Sequence, residues 1–281
     1  MSKSPLRVFF PPVWIILVTM PILYSSAPEV GTETRIDLDG HPLRSAPNPV
    51  VSREGDALAV SNVTTPDLII WRTPIRPSKG TVLICPGGGY QILSVTNEGT
   101  TVADFLNQEG YDAAILEYSV NRPDAQEKAL ADATKAVKLL REKGAALALN
   151  VSSLSLMGFS AGAHLSTRVL HEIGATVPFS SIILIYPAYL DAPEGTAGTM
   201  GLTAEVVPPA GIHTRVFTAI GDQDRPEWVR STAAYAAVSK ANRQAAEYHL
   251  LPATGHGFGM KPGQNGSAGE LPGLLKAFLQ E

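Results

Sequence analysis

The chain has 281 residues, 44% hydrophobic and 17% charged, with 25 glycines and 22 prolines, a composition that excludes disorder, collagen and coiled coil. With 26 acidic against 22 basic residues the formal charge is −4, which argues against polyphosphate or anionic membrane surfaces as partners and sets the expectation of no nucleic-acid binding. The single cysteine, Cys85, supports neither an intrachain disulfide nor a multi-cysteine metal site, so no metal and no cofactor are expected and the chemistry falls to oxygen and nitrogen groups.

Residues 1–27 read as a signal peptide. Lys3 and Arg7 supply a positive start, residues 8–24 are apolar except Thr19, and Ser25, Ser26 and Ala27 are the small residues a signal peptidase prefers. Retention as an N-terminal anchor is the alternative, although Pro11, Pro12 and Pro21 make a poor spanning helix. Pro28 directly after Ala27 leaves the cleavage position open. The expected location is secreted or periplasmic, with no stable membrane insertion after cleavage. Removal takes two basic residues and no acidic ones, so the mature domain is more acidic than the full chain.

Residues 28–60 are rich in proline, glycine and polar side chains and read as an extended segment, with edge strands around Arg35 to Leu38 and Leu58 to Val60. Residues 61–281 form the expected catalytic domain. Its strand candidates are Leu68 to Trp71, Thr81 to Cys85, Ala113 to Tyr118, Leu154 to Met157, Ile182 to Tyr186, Val216 to Ile220 and Glu247 to Leu251. Between them lie the helix candidates Thr96 to Gln108, Asp124 to Lys143, Ala161 to Ile173, Glu227 to Ala241 and Glu270 to Leu279. The clearest stripe runs through Ala129, Leu130, Ala133, Ala136, Val137, Leu139 and Leu140 and stops at Gly144. Alternation of strand and helix over one long stretch predicts an α/β fold with a mostly parallel sheet, helices on both faces, and functional loops at the carboxyl ends of the strands.

The sharpest motif is Gly158-Phe159-Ser160-Ala161-Gly162, a G-x-S-x-G between a predicted strand and a predicted helix. Such a turn strains the serine backbone, requires small neighbours, and presents the hydroxyl at the strand end beside a helix N-terminus. Ser160 is the expected nucleophile. An oxyanion pocket would come from Pro86-Gly87-Gly88-Gly89-Tyr90, directly after the strand ending at Cys85, with the amides of Gly88, Gly89 and Ala161 as donors. As a phosphate cradle this run lacks the P-loop lysine. Cys85 reads as a packing residue, since no basic partner is evident.

The base should be a histidine late in the chain, and His256 in Gly255-His256-Gly257 follows the last predicted strand. His164, one turn into the helix after the serine, reads as a structural histidine. The orienting carboxylate should follow the strand Val216 to Ile220, where Gly221-Asp222-Gln223-Asp224 offers two choices. Asp224 is favoured because the chain turns at Pro226 into the next helix, and Asp222 is the alternative.

These residues resemble the α/β-hydrolase superfamily, and within it secreted carbohydrate esterases of the acetyl xylan esterase kind whose oxyanion loop reads P-G-G-G-Y. Asn62-Val63-Thr64, Glu98-Gly99, Leu116-Glu117-Tyr118, Asp132, His164-Leu165, Tyr186-Pro187 and Gly255-His256-Gly257 fall in that family's order. Ala163 stands where the family usually has glycine, Ser119 follows Tyr118 where arginine is frequent, and the acid loop reads Asp224-Arg225-Pro226-Glu227-Trp228 rather than D-x-x-V-P. The resemblance implies an α/β-hydrolase fold and a serine esterase that removes short acyl groups, above all acetyl, from an acylated oligo- or polysaccharide such as xylan or from a small ester. Residues 188–213 show no helical stripe, so no large lid is expected. Competing readings are a peptidase or amidase, a feruloyl or methyl esterase on the same scaffold, and a non-catalytic carbohydrate-binding relative.

Overall fold

Strands that are apolar at nearly every position need a sheet buried on both faces, and the chain builds one. The computed structural model describes residues 33–54, 57–192, 200–261, 264 and 266–281. The expected signal peptide, residues 1–27, lies outside the described residues, as do 28–32 of the extended segment and 193–199 of the loop after Tyr186.

In chain order the elements are β1 (Thr34–Asp37), β2 (Pro42–Leu43), β3 (Val50–Glu54), β4 (Ala57–Ser61), β5 (Asp67–Trp71), β6 (Thr81–Cys85), β7 (Ile92–Leu93), α1 (Thr101–Gln108), β8 (Asp112–Glu117), α2 (Ala125–Lys143), β9 (Leu154–Phe159), α3 (Ala161–Ile173), β10 (Ser181–Ile185), β11 (Arg215–Gly221), α4 (Pro226–Ala241), β12 (Ala246–Leu251) and α5 (Leu271–Gln280). The main sheet has nine strands in the order β12-β11-β10-β9-β6-β8-β5-β1-β2. From β12 to β8 neighbours run parallel, and β5, β1 and β2 add an antiparallel edge. Every residue of β6, β8, β9 and β10 is buried.

The chain proceeds from β6 outward to β8, then returns to place β9 on the other side of β6. This reversal opens a crevice at the carboxyl ends of β6 and β9, the place where open α/β sheets bind ligands. Register brings Cys85 opposite Gly158, and Phe159 opposite Ile185, so three strand ends meet at one rim.

α1 and α5 lie together, tied by Lys276 to Glu109 at 2.9 Å and by the Tyr111 hydroxyl donating to the Leu279 carbonyl. Phe217 on β11 meets Phe278 of α5 with ring centroids 5.3 Å apart, placing that pair on one face. On the other face α2 packs on α3. His171 on α3 and Asn242 just past α4 reach the carbonyls of Val207 and Pro208. Ala129, Ala133, Ala136, Val137, Leu139 and Leu140 are buried on α2, as their spacing predicts, whereas Leu130 is only half-buried. The helix expected over Thr96 to Gln108 opens as a π-helical turn, Thr96–Thr100, before α1; such wider turns recur at functional sites.

Three strands escape the sequence pattern. β2 and β7 are two residues long, too short for a period-2 signal, and β3 carries Ser52, Arg53 and Glu54. β3, β4 and β7 form a small antiparallel sheet beside the main one. A buried polar cluster fastens the N-terminal segment. Arg35 Nη1 donates to Asp67 Oδ2 at 2.9 Å and Glu117 Oε1 at 3.1 Å, while Asn48 Nδ2 donates to Glu117 Oε2 at 2.7 Å and Asp67 Oδ1 at 3.2 Å. Burial, with the Glu117 carboxylate beside it, pushes Asp67 up to about 7. No helix among the described residues is long and apolar enough to cross a membrane.

Candidate active site

The turn from β9 into α3 forces Ser160 to φ +50°, ψ −118°, a conformation costly for any residue with a Cβ. Surrounding contacts hold it there. The Ser160 amide donates to the Ile185 carbonyl at 3.0 Å, and its own carbonyl accepts from Ala163 at 3.1 Å and His164 at 3.2 Å. A Cβ on Gly158 would stand 2.2 Å from the Gly162 carbonyl oxygen, so residue 158 has no space for a side chain.

His256 lies on the loop after β12. Its Nε2 is 2.8 Å from Ser160 Oγ and its Nδ1 is 2.7 Å from Asp224 Oδ2. An ionised carboxylate only accepts, so Nδ1 carries the proton toward Asp224 and Nε2 is left to accept the serine hydroxyl proton. The Asp224 side chain is wholly buried and the His256 side chain is 32% exposed. Asp224 Oδ1 accepts the Arg225 amide at 2.7 Å, which fixes the second oxygen. Asp222 instead caps the base loop, its Oδ1 accepting from the Thr254 amide at 3.3 Å. The structure therefore brings Ser160, His256 and Asp224 into one line, and does not bring Asp222 to the imidazole.

The loop after β6 presses its backbone on Ser160. A Cβ on Gly87 would lie 2.6 Å from the Phe159 carbonyl oxygen and 2.9 Å from Ser160 Cβ. The Pro86 carbonyl accepts the Tyr118 hydroxyl at 2.6 Å, and the Gly88 carbonyl accepts the amides of Gln91 and Ile92 at 3.0 and 3.1 Å. Gly88 and Gly89 adopt φ +135° and +63°. The amides of Gly88, Gly89 and Ala161 have no protein acceptor among the described residues. Ala161 opens α3, where the helix dipole favours negative charge.

Two residues have functions here that their sequence positions did not disclose. Glu98, in the π-helical turn, is buried; its Oε2 accepts the Gly87 amide at 2.6 Å and its Oε1 accepts the Tyr186 hydroxyl at 2.8 Å. Tyr186, at φ +37°, sets its ring across His256 with centroids 5.0 Å apart, and its oxygen accepts the Gly259 amide at 2.9 Å. Burial raises the Glu98 carboxyl. A buried glutamate hydrogen-bonded to a glycine amide 11 positions before it and a tyrosine 88 positions after it leaves no local pattern.

An aromatic wall flanks the serine. Tyr189 stacks beside Tyr90 at 6.3 Å and meets Trp228 edge-on at 5.7 Å, and Trp228 lies 4.8 Å from the His256 ring. The Tyr189 hydroxyl would be 3.7 Å from a Cβ on Gly89, so it overhangs the glycine loop. His164 is buried, its Nδ1 sharing a 2.8 Å hydrogen bond with the Tyr90 hydroxyl, and burial lowers it to about 3, so it stays neutral and structural. Burial pushes the Cys85 thiol up to about 12, which removes it as a nucleophile. Among the described residues no group of three or more His, Cys, Asp or Glu side chains converges as metal ligands do.

The BD-FAE family model matches residues 74–171, from before β6 to the end of α3. An acetylxylan esterase from Xylanibacter ruminicola is 32% identical over 114 residues, covering 41% of this chain; the match spans 24% of that relative's length. Among solved structures, MGS-M1, an alpha/beta hydrolase enzyme from a Medee basin deep-sea metagenome library, superposes with a TM-score of 0.66 at 20% identity, over 89% of this chain and 97% of its own. An acetyl ester-xyloside bifunctional hydrolase from Caldicellulosiruptor lactoaceticus does so with a TM-score of 0.64 at 20% identity, over 90% and 98%.

Proposed function

Starting from an α/β-hydrolase fold, we propose that this chain is a serine esterase that removes short acyl groups, acetyl above all, from an acylated carbohydrate. The observation that carries the reading is the continuous hydrogen-bond line from Ser160 Oγ through both ring nitrogens of His256 to buried Asp224, beside three amides with no protein acceptor among the described residues.

In the proposed cycle Ser160 Oγ attacks the ester carbonyl carbon while its proton moves to His256 Nε2. The carbonyl π pair moves onto oxygen, which Gly88, Gly89 and Ala161 stabilise through their amides. Asp224 keeps Nδ1 protonated and favours the imidazolium. Collapse restores the carbonyl and breaks the bond to the sugar oxygen, which takes the proton from Nε2. Water then gives a proton to Nε2 and its oxygen attacks the acyl-serine; collapse releases the acid and returns the proton to Ser160. No cofactor enters this cycle.

Tyr189 overhangs Gly89 and lies against Tyr90 and Trp228, an arrangement beside the glycine loop that supports a short acyl group such as acetyl. Similarity of the 114-residue stretch to an acetylxylan esterase supports acetyl on a xylan-type sugar. Lys3, Arg7 and the apolar run after them support action outside the cytoplasm. Incubation of the purified protein with acetylated xylan, acetylated pectin and feruloylated arabinoxylan tests the reading. Acetate release is expected; release of only ferulate or methanol would overturn the acetyl assignment.

A further inference from the structure

Glu98 takes no part in the proton relay, yet its two oxygens hold the two loops that flank the relay. Oε2 accepts the Gly87 amide at 2.6 Å, one residue before the proposed oxyanion donors. Oε1 accepts the Tyr186 hydroxyl at 2.8 Å, and that oxygen in turn accepts the Gly259 amide, three residues past His256, at 2.9 Å. The Tyr186 ring also lies edge-on to the imidazole at 5.0 Å. Glu98 therefore sits at the centre of a connection from the glycine loop to the base loop, and each of its oxygens has a donor. Both carboxyl oxygens are therefore in use as acceptors, and a glutamine here would offer only one, leaving either Gly87 or Tyr186 without its acceptor.

We infer that Glu98 is a positioning residue that sets the oxyanion loop and the base loop together. The inference rests on the proposed Ser160–His256–Asp224 relay. Burial brings an energetic cost for this carboxylate, which a surface or packing role would not require. Other groups share its surroundings. His256 and Lys261 exert a favourable field on Glu98, Tyr186 bonds to it, and Tyr118 lies near it. The imidazole is faced by Asp224, Ser160, Tyr186 and Trp228.

The test uses the full chain with 4-nitrophenyl acetate. In Glu98→Gln, kcat should fall by about 10- to 100-fold with KM within about twofold, as expected when loop placement shifts by a fraction of an ångström. Glu98→Asp, which keeps two acceptor oxygens at shorter reach, should recover part of the kcat lost in Glu98→Gln. A folded Glu98→Gln protein with wild-type kcat overturns the inference. If Glu98→Gln does not fold, Tyr186→Phe carries the test, because it keeps the ring and removes the hydroxyl link. A drop in kcat at constant KM supports the inference, and wild-type kcat overturns it. Ser160→Ala separates the two levels: activity surviving in Ser160→Ala defeats the relay itself, whereas an inactive Ser160→Ala beside an unaffected Glu98→Gln defeats only the assignment of Glu98.

Discussion

A Cβ on Gly162 would lie 2.0 Å from the carbonyl oxygen of Cys85. The first turn of α3 thus rests directly on the end of β6, and this contact brings the serine turn and the glycine loop into one site. Gly162→Ala requires the strand end or the helix to move. Overpacking against backbone costs about 1–3 kcal/mol, occasionally more, which corresponds to a Tm decrease of several degrees. Thermal denaturation should show this loss together with reduced esterase activity; an unchanged Tm would mean the two elements are looser than the geometry states.

Asp224 and Asp222 lie two residues apart and differ in partner. Asp224 Oδ2 is 2.7 Å from His256 Nδ1, whereas Asp222 bonds the Thr254 amide. Asp224→Asn should lower kcat by ~10³–10⁴, since the amide favours the wrong imidazole tautomer. Asp222→Asn should change kcat by less than about tenfold, because it touches only the loop carrying the base. Equal losses in steady-state assays would reject this division of roles.

Tyr189 overhangs Gly89 and contacts Tyr90 and Trp228. Replacing it with alanine should open the acyl space. The ratio of kcat/KM for 4-nitrophenyl butyrate over acetate is expected to rise by roughly tenfold, the scale of one or two methylenes in an apolar pocket. A ratio that stays constant would place the acyl group elsewhere.

The Arg35–Asp67–Glu117 cluster predicts a pH dependence of stability. Asp67 is raised to about 7 in the folded state by burial and by Glu117. A raised carboxyl binds more protons folded than unfolded between about pH 4 and 7, so its contribution is present at low pH and is lost as pH rises through the folded value. Across pH 5 to 8 the wild-type Tm should therefore fall relative to that of Asp67→Asn, by roughly 2–5 °C. Parallel Tm curves for the two proteins would contradict a raised Asp67 carboxyl.

How much of this was legible in the sequence depends on the range of the interaction. Thr81–Cys85 and Ala161–Ile173 were predictable to the residue, because β-branched runs and a helix opened by a glycine-flanked serine are local patterns. The β2, β3 and β7 pairings were not, since they exist only through their partners; β7 is two residues set against Val60 and Ser61. At the site, Ser160 and His256 stood out through their glycine neighbours, and the choice between Asp222 and Asp224 needed the third dimension. Glu98 was visible only as part of the Glu98-Gly99 pair, with no function attached, and the residues that reveal its placement come from three separate loops.

The central claim is that Ser160 forms an acyl-enzyme. The direct measurement is rapid acid quench of the protein during turnover of 4-nitrophenyl acetate, followed by peptide mass mapping. One acetyl group is expected on the peptide containing Ser160, absent in Ser160→Ala, which should also lose kcat by several powers of ten. No acetyl on that peptide, together with turnover persisting in Ser160→Ala, would contradict it.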